Sequence, residues 1–368
     1  MENFAHTLLG LSLAKAGLER ASPLAATTLL ISSNLPDIDV LVRLRGGTLS
    51  YLQYHRGFTH GFVGLAVLAV ALTAALVFID RRFRLRQDPF RRPIRPFRIF
   101  LLAYLGGLGH SFMDFTNSYG VRPLLPFSDR WFYGDLAFVV DPWIWLMLGS
   151  AGVWLTAKTP PSIVFWLIAG GLTSFIVATA LSDPSPVFPV TVPTAVRVVW
   201  FLGLGMIIGG ALFRWGRMGE SVARYSLLAL AFYYGGMWIA RQEARNRAAA
   251  SLQAEGVSRP VAWPTPANPL LWQTVAASDE FIYSRYLSLA DPQGEWRQVS
   301  ALDPKLIEAL RQAPEARTFL DFTRYAMAAV EEREGGYAVA LRDSRFDLRM
   351  NVLLNQELTV QSVDVRWF

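Results

Sequence analysis

The chain has 368 residues, of which 52% are hydrophobic and only 17% carry a charge. Soluble domains are about 25% charged, so the composition argues against an entirely soluble protein. Cysteine is absent, which excludes disulfides and thiolate sites and leaves nitrogen and oxygen ligands for any metal. The net charge of +6 comes from arginines clustered between hydrophobic runs. Such clusters indicate membrane orientation, and we expect no nucleic-acid partner.

The first forty residues predict two short apolar helices, at 4–18 and 23–33, each too short to cross a bilayer. Pro36 disfavours helix for the residue before it, so Asp37 and Asp39 are predicted on a loop at the end of the second helix. Two carboxylates in one turn can chelate one cation or bridge two. Simple capping of the helix by an aspartate explains the same pattern.

A pair of histidines, His55 and His60, follows in the sequence His-Arg-Gly-Phe-Thr-His. A spacing of five places them on different sides of an ideal helix, so one helix cannot aim both at one point. We therefore predict that His55 lies on a loop, that Thr59 is an N-cap, and that His60 opens the first membrane helix. The alternative is two interfacial histidines with Arg56 reaching toward water.

Six stretches approach the roughly 20 apolar residues that cross a bilayer core. They are 62–79, 97–113, 138–156, 162–181, 196–213 and 222–240. The loop after the first stretch is rich in arginine: Arg81, Arg82, Arg84, Arg86, Arg91, Arg92, Arg95 and Arg98. Positively charged loops stay in the cytoplasm, which places residues 114–137 and the C-terminal region on the opposite, extracytoplasmic side.

The second predicted span ends in His110-Ser-Phe-Met-Asp114. Residues four apart lie on one helix face, so both side chains can reach one ion, or Asp114 can orient His110. The bland alternative is a satisfied His–Asp pair inside the bundle. If the first span runs inward and the second outward, His60 and His110 finish at the same membrane face. Arg56, Asn117 and Arg122 would then lie near the site, where they could bind an anionic substrate.

The C-terminal region reads as a soluble α+β domain, with strand at 270–290, helix at 304–331, and strands near 337–342, 346–353 and 358–366. We predict two domains, a membrane helical domain at 1–250 and an extracytoplasmic domain at 251–368. The predicted fold class is thus mainly α: a polytopic membrane bundle of about six spanning helices plus short N-terminal helices, followed by the α+β domain.

Together the N-terminal segments resemble the YdjM-type family of membrane-bound, metal-dependent hydrolases, which the SOS repressor LexA controls in some members. The matching pieces are His6, Leu-Pro-Asp37-Ile-Asp39, the His55–His60 segment, the His110–Asp114 segment, Gly120–Pro126 and Asp141-Pro142. The likeness is strongest over residues 1–145 and continues as general hydropathy to about 240. It implies a multi-pass protein of the bacterial inner membrane.

That family is distantly similar to zinc-dependent phospholipase C and the P1-type nucleases, which cut phosphodiesters with two or three metal ions. By this resemblance the candidate ligands are His6, Asp37, Asp39, His55, His60, His110 and Asp114. This chain lacks the further downstream histidines of those enzymes. Asp135 or Asp141 would have to replace them in a trinuclear site.

The predicted function is hydrolysis of an ester or phosphodiester by metal-activated water at the membrane surface. Seven candidate ligands exceed the four of one tetrahedral zinc, which favours up to two ions, with Zn²⁺ expected before Mn²⁺. Asp39 or Asp141 is the predicted general base. The location at headgroup depth suggests membrane lipids as partners and a lipid-linked phosphate as substrate.

The alternative is a non-enzymatic membrane transporter, or a scaffold with a structural metal site. A transporter should carry ionisable residues deep in several spans. The three later predicted spans are nearly free of acids and histidine. The sequence therefore favours the enzyme.

Overall fold

The computed structural model of the protein describes residues 1–180, 192–252, 256–291, 294–346 and 348–367. Its N-terminal part is helical. In chain order the α-helices are α1 (Asn3–Lys15), α2 (Ala25–Ser32), α3 (Arg43–Tyr54), α4 (Phe62–Ile79), α5 (Leu85–Gln87), α6 (Pro96–Phe115), α7 (Pro142–Thr156), α8 (Pro160–Phe175), α9 (Thr194–Leu212) and α10 (Glu220–Ser251). Short 3₁₀ helices lie at Leu18–Arg20, Leu35–Val42, Phe58–His60 and Trp215–Met218. π-Helical turns extend α4 at Asp80–Arg84 and α8 at Ile176–Ala180.

The C-terminal part is built from two antiparallel four-stranded sheets. The first contains β1 (Val261–Thr265), β2 (Asn268–Ala277), β3 (Phe281–Ser288) and β4 (Arg297–Ser300), in that order. Helices α11 (Pro304–Arg311) and α12 (Pro314–Phe322) lead to the second, β5 (Ala326–Arg333), β6 (Gly336–Asp343), β7 (Leu348–Asn355) and β8 (Val360–Trp367), again in order. Alternate residues of β7, Leu348, Met350, Val352 and Leu354, form one buried cluster with Phe319 and Phe322 of α12.

The protein is mostly helical, and among the described residues three helices are long and apolar enough to cross a membrane. They are Phe62–Gln87, Pro160–Thr179 and Thr194–Leu212. The first contains the predicted span 62–79, and the other two contain most of the predicted spans 162–181 and 196–213. Their outer faces expose large apolar side chains, such as Leu167 and Leu202, each 67% exposed. Such surfaces are stable in lipid rather than in water.

The prediction of six spans is not supported, because the other three stretches form helices of a different kind. Helix α7 has only 15 residues, fewer than a bilayer requires. Helix α6 buries polar residues, and α10 carries charged residues along its 32 residues. The short helices α1 and α2 pack within this bundle, α1 against α2, α6, α7 and α10.

Prolines begin several of these helices. Pro36, Pro96, Pro142 and Pro160 occupy the first turn of a helix, where the missing N–H costs nothing and the fixed φ favours the helical backbone. The aspartate before Pro142 caps α7 by accepting from the backbone N–H of Trp143 at 3.0 Å. The positions of these prolines thus help to determine where the helices begin, including Leu35–Val42 and α6, which carry candidate ligands.

Two details of the C-terminal prediction were wrong. The predicted helix 304–331 ends at Phe322, and residues 326–333 pair with β6 instead, because cross-strand pairing overrides local helix propensity. The predicted single strand 270–290 is a hairpin, β2 and β3, that turns between Ala277 and Phe281. The division at residues 250 and 251 stays a prediction.

The C-terminal sheets lie directly against the helical part. Tyr119, which follows α6, has its ring 4.8 Å from that of Phe322, and Leu52 of α3 belongs to the same buried cluster. Asp135 binds Arg324 at 2.8 Å and Arg241 of α10 at 3.1 Å. The loop after α6 is therefore held between the two parts of the chain.

Candidate metal centre

Four segments of the helical part bring six histidine and aspartate side chains together. The first is the 3₁₀ helix that Pro36 opens, the second is the end of α3, the third is the 3₁₀ turn before α4, and the fourth is the last turn of α6. In that order they contribute Asp37 and Asp39, His55, His60, and His110 with Asp114. The predicted convergence of three distant stretches is what the structure displays.

Four of these side chains, Asp37, His60, His110 and Asp114, form one set that could hold a metal ion. The Nε2 atoms of His60 and His110 lie 3.1 Å apart, and each lies 3.5 Å from Oδ1 of Asp37. Oδ2 of Asp114 lies 3.2 Å from Nε2 of His60 and 3.4 Å from that of His110. Ligand atoms bonded at 2.0–2.1 Å in a tetrahedron lie about 3.3 Å apart. The spacing fits one tetrahedral ion.

Hydrogen bonds fix which ring nitrogen of each histidine carries the proton. Nδ1 of His110 lies 2.8 Å from the carbonyl oxygen of Ser33, which can only accept, so this Nδ1 donates. Nδ1 of His60 lies 3.1 Å from the hydroxyl of Thr59, which itself donates to Asp39 at 2.7 Å. In the neutral rings both Nε2 atoms then present lone pairs to each other, a repulsive arrangement that a bound cation relieves.

The charged groups around His60 also favour a bound cation. Burial alone would lower the pKa of its imidazole, but hydrogen bonds to Asp114, Asp37 and Asp39 outweigh burial and raise that pKa to about 10. Burial would also raise the pKa of Asp37, yet His110 and His60 hold it well below the usual range. A group of carboxylates that forces a proton onto a buried imidazole also favours a divalent ion.

A second set, Asp37, Asp39 and His55, could also hold an ion, and it shares Asp37 with the first. Nδ1 of His55 lies 2.7 Å from Oδ1 of Asp39, close enough for the two groups to share a hydrogen bond that orients the ring. The other carboxylate oxygen, Oδ2, accepts from the backbone N–H of Arg56 at 3.1 Å and from Thr59. The prediction that Thr59 caps α4 was wrong, because its hydroxyl holds Asp39; Gly61 is the N-cap.

His6 lies beside the first set but belongs to neither. Its ring stacks on His110 with centroids 3.7 Å apart, and its Nε2 lies 3.4 Å from Oδ1 of Asp114. Among the described residues neither ring nitrogen has a hydrogen-bond partner, although the side chain is fully buried. Burial and His110 together lower the pKa of His6 to about 3. A neutral, unpartnered imidazole beside a carboxylate remains a candidate ligand.

The predicted substrate residues occupy different places. Arg56 is buried, donates to Asp114 at 2.9 Å and to Asn117 at 2.8 Å, and its guanidinium lies 4.6 Å from the Tyr119 ring centroid. Arg122 instead lies 4.6 Å from the Trp131 ring centroid and donates to the carbonyl of Gln53. Asn117 and Arg122 therefore support the backbone and Arg56, and neither lines the cavity beside the site.

That cavity has a volume of about 320 Å³. Asp37, His55 and Arg56 form its polar wall. Its remaining walls are mostly aromatic and apolar: Tyr51, Tyr119, Phe138, Val40, Val139 and Phe346, together with Met1, Glu2 and Asn3. Asp37 and His55 of the second set thus face this cavity, and one wall residue, Phe346, comes from the C-terminal part.

The two predicted general bases fare differently. Asp141 is buried, caps α7, accepts from the hydroxyl of Tyr233 at 2.6 Å, and belongs to neither set. Asp39 belongs to the second set, but both its oxygens already accept hydrogen bonds. Burial would raise the pKa of Asp39, yet His55 and His60 lower it well below the usual range, which makes it a weak base. Its geometry favours binding or orienting a ligand.

Sequence reasoning missed Ser33, Tyr51 and the N-terminal amino group. Ser33 contributes only its backbone carbonyl oxygen, which lies next to Nδ1 of His110. Every residue has this group, so the residue type does not reveal the role. Tyr51 stacks on His55 with centroids 4.3 Å apart, and its position four residues earlier on α3 could have indicated this contact. The amino group of Met1 contacts Asp114.

Gly64, in the first turn of α4, packs closely against the 3₁₀ turn that carries His60. A substitution at Gly64 therefore tests whether that turn must keep its position. A Cβ at Gly64 would overlap the carbonyl oxygen of Phe58, whereas one at Gly149 of α7 meets nothing within 4 Å. Since the clash is with backbone, Gly64→Ala is expected to displace His60 and to lower metal content at least tenfold, as overpacking costs about 1–3 kcal/mol. Gly149→Ala is the matched control. Equal metal content in both variants would contradict the close packing at this turn.

The helices and the buried His/Asp cluster define a membrane protein with a candidate metal centre. Residues 1–183 match the sequence model of the YdjM inner membrane proteins, and by this match the N-terminal half of the chain belongs to that family. The uncharacterized protein YfhP of Bacillus subtilis (strain 168) is 26% identical over 171 residues, which are 44% of this chain and 48% of that protein. The chain thus spans about half the length of this curated relative. No solved structure matches the chain.

Proposed function

We propose that the protein is a membrane-bound, metal-dependent hydrolase that cleaves a phosphoester or ester. The observation that carries the proposal is the pair of Nε2 atoms of His60 and His110, 3.1 Å apart, with carboxylate oxygens of Asp37 and Asp114 within 3.5 Å. We propose a similarity to phospholipase C and the P1-type nucleases together with this function, and that similarity is not evidence for it.

Two ions are proposed because there are two ligand sets, and the sets offer different numbers of protein ligands. The first set offers four protein ligands, the number that fills a tetrahedral zinc site. The second offers three, which leaves a position open as in catalytic sites. Asp37 belongs to both and would bridge them. Zinc fits the N/O donors and tetrahedral spacing, and manganese is the next choice.

The chain's own groups have separable roles in this proposal. A divalent ion in the second set would supply Lewis acidity and lower the pKa of a bound water. Asp39 contacts Nδ1 of the His55 ring, and Thr59 donates to Asp39, so both side chains are held in place. Arg56 neutralises Asp114 and lines the cavity, where its positive charge would favour an anionic group.

The hydrolase assay should detect cleavage of bis(p-nitrophenyl) phosphate or a short-chain phospholipid by purified full-length protein. We expect activity to fall at least a hundredfold with a chelator and in Asp37→Asn, since Asp37 belongs to both sets. Asp141→Asn, outside both sets, is the matched control for a buried carboxylate. A panel of phosphoesters and esters left uncleaved by metal-loaded protein would reject the enzyme.

A structural metal site in a membrane scaffold is the second candidate. The first ligand set favours it, because four protein ligands leave no open position and all but Asp37 are fully buried or nearly so. If the metal ion is only structural, the chelator would lower the thermal stability of the protein, and no hydrolysis would be detected with or without the chelator. The two outcomes are therefore distinguishable in one preparation.

The proposed location of the site is the extracytoplasmic face of the inner membrane, with a lipid-linked phosphate as the substrate class. The arginine-rich stretch after α4 supports this orientation. Because the chain has no cysteine, single cysteines at Arg86 and Glu357, both exposed, can be labelled with an impermeant reagent. Labelling in intact spheroplasts is expected at position 357 alone; labelling at 86 would reverse the orientation.

A further inference from the structure

Residues 79–98, the arginine segment, connect α4 to α6 and begin where the apolar part of a candidate membrane span ends. Helix α4 ends at Ile79, and the first arginine follows two residues later. The 18 residues of α4 make a helix about 27 Å long, close to the roughly 30 Å of a bilayer core. With α4 across the membrane, the arginines lie where hydrocarbon gives way to lipid headgroups. They are Arg81, Arg82, Arg84, Arg86, Arg91, Arg92, Arg95 and Arg98.

Packing and hydrogen bonds hold the arginine segment at this level. Asp80 is buried, pairs with Arg84, and accepts from the backbone N–H of Ile94 at 3.0 Å. The side chain of Ile94 is itself buried in a cluster with apolar residues of α4 and α6. Beside it, the backbone N–H of Arg95 donates to the hydroxyl of Ser22 at 3.0 Å. Both ends of the segment are therefore fastened next to the ends of α4 and α6.

The arginine segment carries far more positive than negative charge. It is described in full, and it contains eight arginines and two aspartates. Among the described residues, carboxylates pair with two of the eight: Asp80 with Arg84, and Asp88 with Arg91 at 3.4 Å. All the arginines except Arg84 are exposed. Clusters of basic residues next to a membrane span attract anionic lipid headgroups.

Exposed aromatic side chains alternate with these arginines. Phe83, Phe90 and Phe97 are all more than half exposed, and Phe90 is 98% exposed. Exposure of a phenyl ring to water is unfavourable, and burial of the ring in the interfacial layer of a bilayer removes that cost. Basic residues with aromatic residues among them are typical of segments that lie on a membrane surface. The aromatic rings thus favour a lipid partner over a soluble anion.

The neighbouring helix ends add basic residues to the same face of the protein. Arg98 donates at 3.1 Å to a backbone carbonyl in the turn before α2, and Arg20 of the preceding turn pairs with Glu220 at 2.7 Å. Glu220 is the first residue of α10, and the turn that precedes it carries two exposed arginines, Arg214 and Arg217. The positive surface therefore extends from the arginine segment to the turn between α9 and α10.

We propose that the arginine segment binds anionic phospholipid headgroups, with Phe90 inserted between the lipids. The proposal goes beyond the hydrolase function, because it requires neither a metal ion nor hydrolysis. It depends on α4 crossing the membrane and not on which face of the membrane the segment occupies. His60 precedes α4 and His110 lies near the end of α6, so the metal centre is at the other end of both helices.

The test is native mass spectrometry of the full-length protein in detergent, with equal amounts of phosphatidylglycerol and phosphatidylcholine added. We expect the unmodified protein to retain about tenfold more of the anionic lipid, and the triple variant Arg81→Gln/Arg86→Gln/Arg92→Gln to lose most of this preference. These three arginines are exposed, so the variant keeps the fold. The control, Arg311→Gln/Arg333→Gln/Arg366→Gln, removes the same charge from exposed arginines of the C-terminal part and should keep the preference.

The position of Phe90 is measured separately. Because the chain has no cysteine, Phe90→Cys and Glu357→Cys each provide a single site for a fluorophore. In nanodiscs that contain both lipids, nitroxide-labelled acyl chains should quench the fluorophore at position 90 and not the one at 357. Absence of quenching at position 90 would contradict the insertion of this residue.

Three results would overturn the binding of anionic lipid. The first is equal retention of the two lipids by the unmodified protein, and the second is an undiminished preference in the triple variant. The third is retention of a single-stranded oligonucleotide in preference to phosphatidylglycerol, which would assign the arginines to nucleic acid. None of these results depends on metal content or on hydrolase activity.

Discussion

Purified protein is expected to contain at least one zinc or manganese ion per chain, and His60→Ala and His110→Ala to contain less than a tenth of that amount. Each substitution removes one of four atoms spaced for a tetrahedral ion. Even changes to groups that only orient a ligand lower metal affinity about 10–100-fold, so removal of a ligand should cost more. Elemental analysis of gel-filtered protein in detergent measures the metal content directly.

Asp141→Asn is the appropriate control, because Asp141 is buried, carries a carboxylate and binds Trp143 and Tyr233 instead of the histidines. It should retain the full metal content. If both histidine variants bind as much metal as the unmodified protein, the cluster is not a metal site and the hydrolase proposal fails with it. If His60→Ala alone loses metal, the ion lies outside the four-ligand set.

Arg345→Met is expected to destabilise the C-terminal domain and its attachment by roughly 3–5 kcal/mol, the cost of leaving one half of a buried ion pair. The Arg345 side chain is 1% exposed and that of Asp343 is fully buried. The guanidinium also donates to the carbonyl oxygens of Ser118 at 3.0 Å and Phe322 at 2.6 Å. Its loss removes the guanidinium donor from Oδ2 of Asp343 and from both carbonyl oxygens. Thermal unfolding in detergent and limited proteolysis near residue 300 measure the effect.

The chain offers a matched control for this prediction in Arg366→Met. Arg366 also pairs with an aspartate two residues earlier, Asp364, but both side chains are more than half exposed. Exposed pairs contribute little, so this variant should unfold with the unmodified protein. Equal unfolding temperatures for the two variants would show that Arg345 does not fasten the domain to the loop after α6.

The sequence predicted the site better than it predicted the membrane helices. Pro36, the five-residue separation of His55 and His60, and the four-residue separation of His110 and Asp114 each restrict local geometry. Because the chain holds only four histidines, few arrangements could satisfy all three constraints. The structure gathers the four histidines, and only His6 stays outside the two ligand sets.

The errors arose where tertiary contacts decide the outcome. Apolar residues of α7 and α10 face other helices as well as lipid, so composition counted them as spans. Thr59 bonds Asp39, twenty residues away, although its sequence position favours a helix cap. The role of Ser33 rests on a backbone carbonyl and that of Phe346 on domain contact, and neither leaves a pattern in the sequence.

Helix α10 has a mechanical consequence for the whole molecule. Its 32 residues make a rod about 48 Å long, whereas the hydrocarbon core of a bilayer is about 30 Å thick. Its first half packs on α7, and its last turns, at Ala244 and Ala248, pack on Trp272 of the first sheet. The first sheet therefore packs on a rigid helix that also packs on α7. The length of α10 therefore sets the distance between α7 and the first sheet.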